Sequence, residues 1–370
     1  MKNDHVILLA AGDIMVSSNR GTGAAIDKYG ASFPFIKVQP VLAGADLRFA
    51  NLESPISAHG RVSGKQDAHI TFRASPEAAE GLAYAGFDIV SLANNHMNDY
   101  GDEALLDTLA LLQDKGIDHV GAGRDEEEAC RAVIVKRKGI RIGFLAYSAF
   151  ANLDTRPACG DKSGIAWFIK RRAMQKIRHL RSEVDIVIVS LHWGLDFAEY
   201  PVPFQMKQAR ALVDAGAHLV LGHHSHLLQG TEQYRHGIIV YSLGDFVFDE
   251  EGRETCLLRV ELSRSGIEKI DFIPARINDK FQPEPLSIVD GQKIRDRIAA
   301  LSAAYTGYDS AAAQKMVDFY IRTNWQIFRG SGNRFALRNL LQIGIILRMI
   351  TLFFMKVKKF YSGQSTDAAL

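Results

Sequence analysis

The sequence predicts an α/β domain, and three observations carry that prediction. Apolar runs of four to eight residues recur at 6–11, 47–50, 87–92, 140–147, 184–191, 218–221 and 238–241, several of them rich in Val and Ile as buried strands are. Amphipathic, helix-like stretches lie between them. Polar clusters stand immediately after most of the runs. Alternation of buried strand and helix implies a sheet covered on its faces by helices.

The first run, 6–11, is too short for a signal-peptide core or a membrane span and leads straight into Gly12-Asp13, so it is expected to be the first buried strand. Between the third and fourth runs, residues 102–115 read as a helix. Leu105, Leu106, Leu109 and Leu112 lie on one side, Asp102 is placed as N-cap and Gly116 as the stop. Gly121-Ala122-Gly123 lacks the third glycine of a dinucleotide fingerprint and reads as a turn. Lys170, Arg171, Arg172, Lys176, Arg178 and Arg181 fall in a helical stretch, as a solvated face or as a contact for an anionic polymer or lipid. Residues 204–214 form another helix before Ala215-Gly216. After Asn278 the character changes. Pro283 and Pro285 mark a linker, and the remainder from about Lys293 reads as helical, which gives a division into residues 1–278 and a C-terminal extension, 279–370.

Composition narrows the function. The 370 residues suffice for one large or two modest domains at roughly 150 each. Net charge of +2 argues against a general nucleic-acid coat. Three cysteines, at 130, 159 and 256, form no CxxC pair and argue against a disulfide framework or a cysteine zinc cluster. The apolar tract 335–355 is interrupted by Arg338, Asn339, Gln342 and Arg348. A central Arg costs about 2.5–3.5 kcal/mol in a membrane, so a helix lying on the domain or on a bilayer surface is expected, not a span. The expected location is cytoplasmic or peripheral to a membrane.

The chemistry collects after the runs: Gly12-Asp13, Asn51-Leu52-Glu53-Ser54-Pro55, Ala93-Asn94-Asn95-His96, His192-Trp193-Gly194, Gly222-His223-His224-Ser225-His226 and Ser242-Leu243-Gly244-Asp245. Ligands of open α/β sheets bind beyond the carboxyl ends of strands. Asp, Glu, Asn and His converging there from separate elements suit a metal centre, because carboxylates can bridge cations while imidazole and amide oxygen complete the shells. Each cluster alone is weak evidence. The ordered set is strong.

These motifs, with Phe72-Arg73-Ala74-Ser75-Pro76 and Gln229-Gly230, resemble the CapA family of poly-γ-glutamate capsule biosynthesis proteins, within the calcineurin-like metallophosphatase superfamily, over about residues 6–275. The resemblance implies a four-layer fold, a two-sheet sandwich flanked by helices, and a centre of two divalent metals (Mn, Fe or Zn). By the same resemblance Asp13 and His226 ligate the first metal, Glu53 bridges, Asn95, His192 and His224 ligate the second, and His96 protonates the leaving group. His223 competes with His224, although the HxH spacing favours 224 with 226.

Two departures stand out. Met15 occupies a position where the superfamily usually has a histidine, and a thioether is a poor ligand for hard cations. The first site is therefore expected to be weak, vacant or completed by a distant residue. Asp245 stands where the family commonly has Asn, either supplying lost charge or serving the turn. Arg73 and Lys65 are candidate contacts for an anionic substrate, or ordinary loop charges. Trp193 either walls the pocket or packs in the core.

The expectation is a metal-dependent hydrolase acting on a phosphoester or a γ-glutamyl amide. The alternative is a non-catalytic component of a capsule synthesis or export complex. Expected partners are an anionic polymer or phosphoester and, through the C-terminal helix, a membrane or membrane protein, with no nucleic acid.

Overall fold

A computed structural model describes residues 5–62 and 70–303. The chain divides into two compact units, Met1–Gly307 and Tyr308–Leu370. The second unit, with the apolar tract 335–355, lies outside the described residues, as does Lys65.

The strands run, in chain order, β1 (Val6–Ile14), β2 (Leu47–Leu52), β3 (Ile89–Ser91), β4 (Asp118–Val120), β5 (Ala122–Gly123), β6 (Val133–Arg137), β7 (Ile140–Ser148), β8 (Gly164–Ile165), β9 (Ile186–His192), β10 (Leu219–His223), β11 (Thr231–Tyr234), β12 (Gly237–Val240), β13 (Asp245–Val247), β14 (Glu254–Leu262), β15 (Ile267–Ile277) and β16 (Pro283–Pro285). The helices are α1 (Gly21–Tyr29), α2 (Gln39–Leu42), α3 (Ala78–Ala85), α4 (Gly101–Asp114), α5 (Glu126–Ala129), α6 (Lys170–Glu183), α7 (Pro203–Asp214) and α8 (Ile288–Ala303).

Two sheets face each other. The first is ordered β16-β15-β14-β1-β2-β3-β4, with β13 added beside β1; the second is β11-β12-β10-β9-β7-β6. The period-2 alternation of side chains explains the layering. On β1, Val6, Leu8 and Ala10 turn inward and join Phe49, Phe144, Ile188 and Leu221 in a core between the sheets. Leu9 and Ala11 turn outward, onto Ile26 of α1, Leu82 of α3 and Leu105, Leu109 and Leu112 of α4. Beyond the second sheet, α6 lies on β9 and α7 on β10 and β12. This is the helix-flanked, two-sheet sandwich that the family resemblance implies. No helix among the described residues is long and apolar enough to cross a membrane.

Several local expectations are corrected. Asp102 is not an N-cap: α4 begins at Gly101 after Tyr100, and Asp102 sits in the first turn, paired with Arg156 at 3.1 Å. Leu106 is exposed rather than in the leucine face. Ala122–Gly123 is a strand that pairs with β8, not a turn. Pro283 and Pro285 bracket an edge strand against β15 rather than a linker, which an edge position permits because Pro needs to donate nothing outward. Residues 279–303 lie in the first compact unit. On α6, Ala173, Ile177 and Leu180 are buried, and the six basic residues are exposed.

What positions the site is strand direction. β1, β2, β3 and β4 are mutually parallel, and so are β7, β9, β10 and β12. Each sheet therefore gathers its carboxyl ends at one edge. β13 enters parallel to β1 with Asp13 opposite Asp245. The approach is close: the Asp13 N–H donates to the Gly244 carbonyl at 2.8 Å, and a methyl at Gly12 would sit 2.0 Å from that oxygen. Gly12→Ala is accordingly expected to destabilise the protein by about 1–3 kcal/mol, read as a lowered urea midpoint, because backbone cannot yield as a side chain can.

His218, just before β10, is buried, and its Nδ1 accepts the Val187 N–H at 3.0 Å. Burial foremost, with Arg181 and His236 nearby, pushes its pKa from 6.5 down to about 4. Below pH 6.5 the unfolded imidazole takes up a proton that the folded one refuses until about pH 4. Stability is thus expected to fall as pH drops through that window, with a shallower fall in His218→Gln, measured by urea unfolding at stepped pH.

Candidate metal centre

Asp13 lies at the end of β1, fully buried. Its Oδ1 accepts from Asn51 Nδ2 at 2.9 Å, and its Oδ2 accepts the His224 N–H at 3.0 Å. Burial works against this carboxylate, but His223, His226 and the His224 N–H outweigh it and hold its carboxyl below the usual range. Glu53 follows β2. It is also fully buried, and neither of its oxygens has a hydrogen-bond partner among the described residues. His192 Nε2 stands 3.5 Å from Glu53 Oε1, and His96 Nε2 stands 3.9 Å away. Burial and then the Asp13 charge push the Glu53 carboxyl well above its usual range.

The imidazoles come mainly from the second sheet. His192 ends β9, with Nε2 2.6 Å from Asn95 Oδ1 and Nδ1 3.4 Å from Asn51 Nδ2, so it bridges the sheets. Burial, then the neighbouring imidazoles, holds it neutral. After β10 the chain turns sharply: His224 has φ 92° and His226 has φ 59°, in the left-handed region that non-glycine residues seldom enter. Burial foremost lowers the His224 pKa to about 4. Neither His224 ring nitrogen makes a hydrogen bond among the described residues, although Asp196 Oδ1 is 3.1 Å from Nε2. His226 Nδ1 is 2.7 Å from Asp245 Oδ1. Burial opposes its charge, but Asp245 prevails and raises its pKa well above 6.5.

His96 follows β3. Its Nδ1 is 2.7 Å from Asp99 Oδ2, and its ring packs against Phe72 at 4.2 Å. Asn94 shapes this turn: its Oδ1 accepts the His96 N–H at 3.1 Å, and its Nδ2 donates to the Leu52 carbonyl at 2.7 Å.

Three overlapping groups offer ligand atoms within 4.8 Å of one another: Glu53, His192 and His224; Asp196, His224 and His226; Asp13, His226 and Asp245. The structure thus gathers Asp13, Glu53, Asn95, His96, His192, His224 and His226 in one place. The Glu53 oxygens and the neutral His224 ring, none of whose polar atoms makes a hydrogen bond among the described residues, fit a divalent cation, whose ligands must be deprotonated.

Other sequence candidates stand apart or face other partners. Arg73 directs its guanidinium to the His59 carbonyl at 3.1 Å and over the Tyr100 ring at 4.1 Å, so it braces a loop. Trp193 is buried and donates Nε1–H to the Tyr241 carbonyl at 3.3 Å, a core position behind β10. His223 is fully buried, with Nδ1 3.0 Å from Asp13 Oδ1 but out of hydrogen-bond line. Met15 turns its sulfur towards the Ser17 N–H at 3.3 Å and the Thr22 hydroxyl at 3.8 Å.

Sequence reading gave no site role to Asn51, Asp99 or Asp196. Asp99 is legible as the acid one helical turn after His96, and Asn51 as the polar residue closing the second apolar run. Asp196 carries no local signal.

Comparison with known proteins completes the description. The bacterial capsule synthesis protein PGA_cap family matches residues 7–250. The chain is 31% identical over 300 residues to the capsule biosynthesis protein CapA of Bacillus anthracis, covering 79% of this chain and 72% of that one. It is 29% identical over 274 residues to the PGA biosynthesis protein CapA of Bacillus subtilis (strain 168), covering 72% and 70%. Among solved structures, a novel phosphatase from Mycoplasma pneumoniae aligns over 75% of this chain and 96% of its own, at 12% identity and a TM-score of 0.46. The match over residues 7–250 takes in every motif that builds the cluster, and the chain belongs to the bacterial capsule synthesis protein PGA_cap family.

Proposed function

We propose that this chain is a metal-dependent hydrolase of capsule polymer synthesis, acting on a phosphoester or a γ-glutamyl amide of an anionic polymer. The observation that carries the reading is Glu53, a fully buried carboxylate with both oxygens unpartnered among the described residues and with imidazoles of two strands around it. Ionising such a carboxyl without a partner costs several kcal/mol, and a cation is the partner its surroundings suit.

Asp13, Glu53 and His226 would hold one cation; Glu53, Asn95, His192 and His224 would hold a second. Divalent ions bound there would supply Lewis acidity and a readily deprotonated water. The protein's own residues do the rest. Asp99 fixes the His96 ring through Nδ1, which leaves Nε2 turned towards Glu53 and able to deliver a proton to a leaving group. Phe72, Phe150 and Phe248 pack against His96, His224 and His226 and exclude water from around the ligands. Burial keeps His192 and His224 neutral and available as donors near pH 7.

The test is metal analysis with a chromogenic phosphodiester assay across Mn, Zn and Mg. Wild type is expected to retain metal and turn over. His96→Ala should lower turnover by about 10²–10⁴-fold with metal content unchanged, whereas His192→Ala should lose metal and activity together. Full activity in both variants overturns the reading. Bound metal without turnover excludes this phosphodiester and leaves both the γ-glutamyl amide and the non-catalytic role in a synthesis or export complex standing.

A further inference from the structure

Asp245 carries more than a turn. It is fully buried, and its register opposite Asp13 on the parallel neighbour of β1 sets two carboxylates side by side. One of its oxygens, Oδ1, faces His226 Nδ1 at 2.7 Å. The other, Oδ2, is buried without a hydrogen-bond partner among the described residues; the nearest cation, Arg253 Nε, is 3.7 Å away and bound up with Glu250 through Nη2 at 3.0 Å. Met15, two residues beyond Asp13, has its sulfur engaged by Ser17 and Thr22 and offers nothing to the cluster. Two buried carboxylates repel unless something positive lies between them, and Asp13, His226 and Asp245 present ligand atoms within 4.8 Å of one another.

We propose that Asp245 is a direct ligand of the cation held by Asp13 and His226, which makes the centre chemically asymmetric. One half is oxygen-rich, with Asp13, Asp245 and the shared Glu53 beside a single imidazole. The other takes both remaining imidazoles, His192 and His224, beside the Asn95 oxygen and the shared Glu53. Carboxylate-rich sites suit Mn²⁺ or Mg²⁺, and imidazole suits Zn²⁺ or Fe. The first half is therefore assigned a hard cation of the Mn²⁺ class. The assignment rests on the metal centre proposed above and adds a ligand and a selectivity to it.

A competing role for Asp245 is to position His226 through the Oδ1 contact, without touching the cation. A double-mutant cycle separates the two. Mn²⁺ binding to the full-length, metal-stripped chain is measured by titration calorimetry for wild type, Asp245→Asn, His226→Ala and the double variant. Asn keeps an oxygen for His226 and removes the charge. A direct ligand predicts that Asp245→Asn weakens one Mn²⁺ by at least ~10-fold in both backgrounds, with the second ion unaffected. A positioning residue predicts no further loss once His226 is gone, and that result overturns the proposal. Asp245→Ser, smaller and still a hydrogen-bond acceptor, gives the same readout if the asparagine variant fails to fold. A wild type that binds no divalent ion overturns both this assignment and the hydrolase reading. A wild type that binds ions, with Asp245→Asn silent on the His226→Ala background, overturns this assignment alone.

Discussion

Buried carboxyl groups with too few protein partners are the constraint on which the rest of this structure depends. Asp13, Glu53 and Asp245 are fully buried within one cluster, and oxygens of two of them lack a hydrogen-bond partner among the described residues. A folded chain tolerates that arrangement when something supplies compensating charge. The Asn51 amide and the His224 N–H serve Asp13, and His226 serves Asp245. Glu53 is left with nearby imidazoles, one of which burial keeps neutral. The sandwich, the parallel strand direction and the sharp turn through His224 and His226 all read as means of bringing these groups to one edge and holding them there.

The two sheets make unequal contributions, and the division is chemical. The first supplies the acids, on β1, after β2 and on β13. The second supplies imidazoles, on β9 and after β10. Neither sheet alone makes a centre. The packing of Phe49 against Phe144, with ring centroids 5.5 Å apart, belongs to the same inter-sheet core that fixes how near Asp13 comes to His223 and Asn51 to His192. Core packing and ligand geometry are therefore one problem in this fold.

Much of this was legible in the sequence because buried parallel strands announce themselves as short Val- and Ile-rich runs, and because polar residues after such runs have few other reasons to cluster. His192, His224 and Asp13 were found that way. The hairpin of β14 and β15 was not, since charged residues cut both strands into apolar stretches too short to stand out. The helical leucine pattern of α4 was right in kind but placed Leu106 on the wrong side, because spacing alone does not say where the buried arc ends. Arg73 reads equally as a substrate contact or as a loop charge by its place after a motif; the loop carbonyls and Tyr100 that decide for the loop are three-dimensional neighbours that no spacing rule encodes. Asp196 was invisible for the same reason.

The close approach of Gly12 to Gly244 has a consequence for how such a centre changes over generations. Each glycine directly precedes a carboxylate, and the bare backbones set the gap between β1 and β13. That contact works as a caliper. Widening it by a methyl group would move Asp13 and Asp245 apart without altering a single ligand atom. Metal preference could then drift through a residue that touches no metal, and an inventory of ligands compared between relatives would miss the cause.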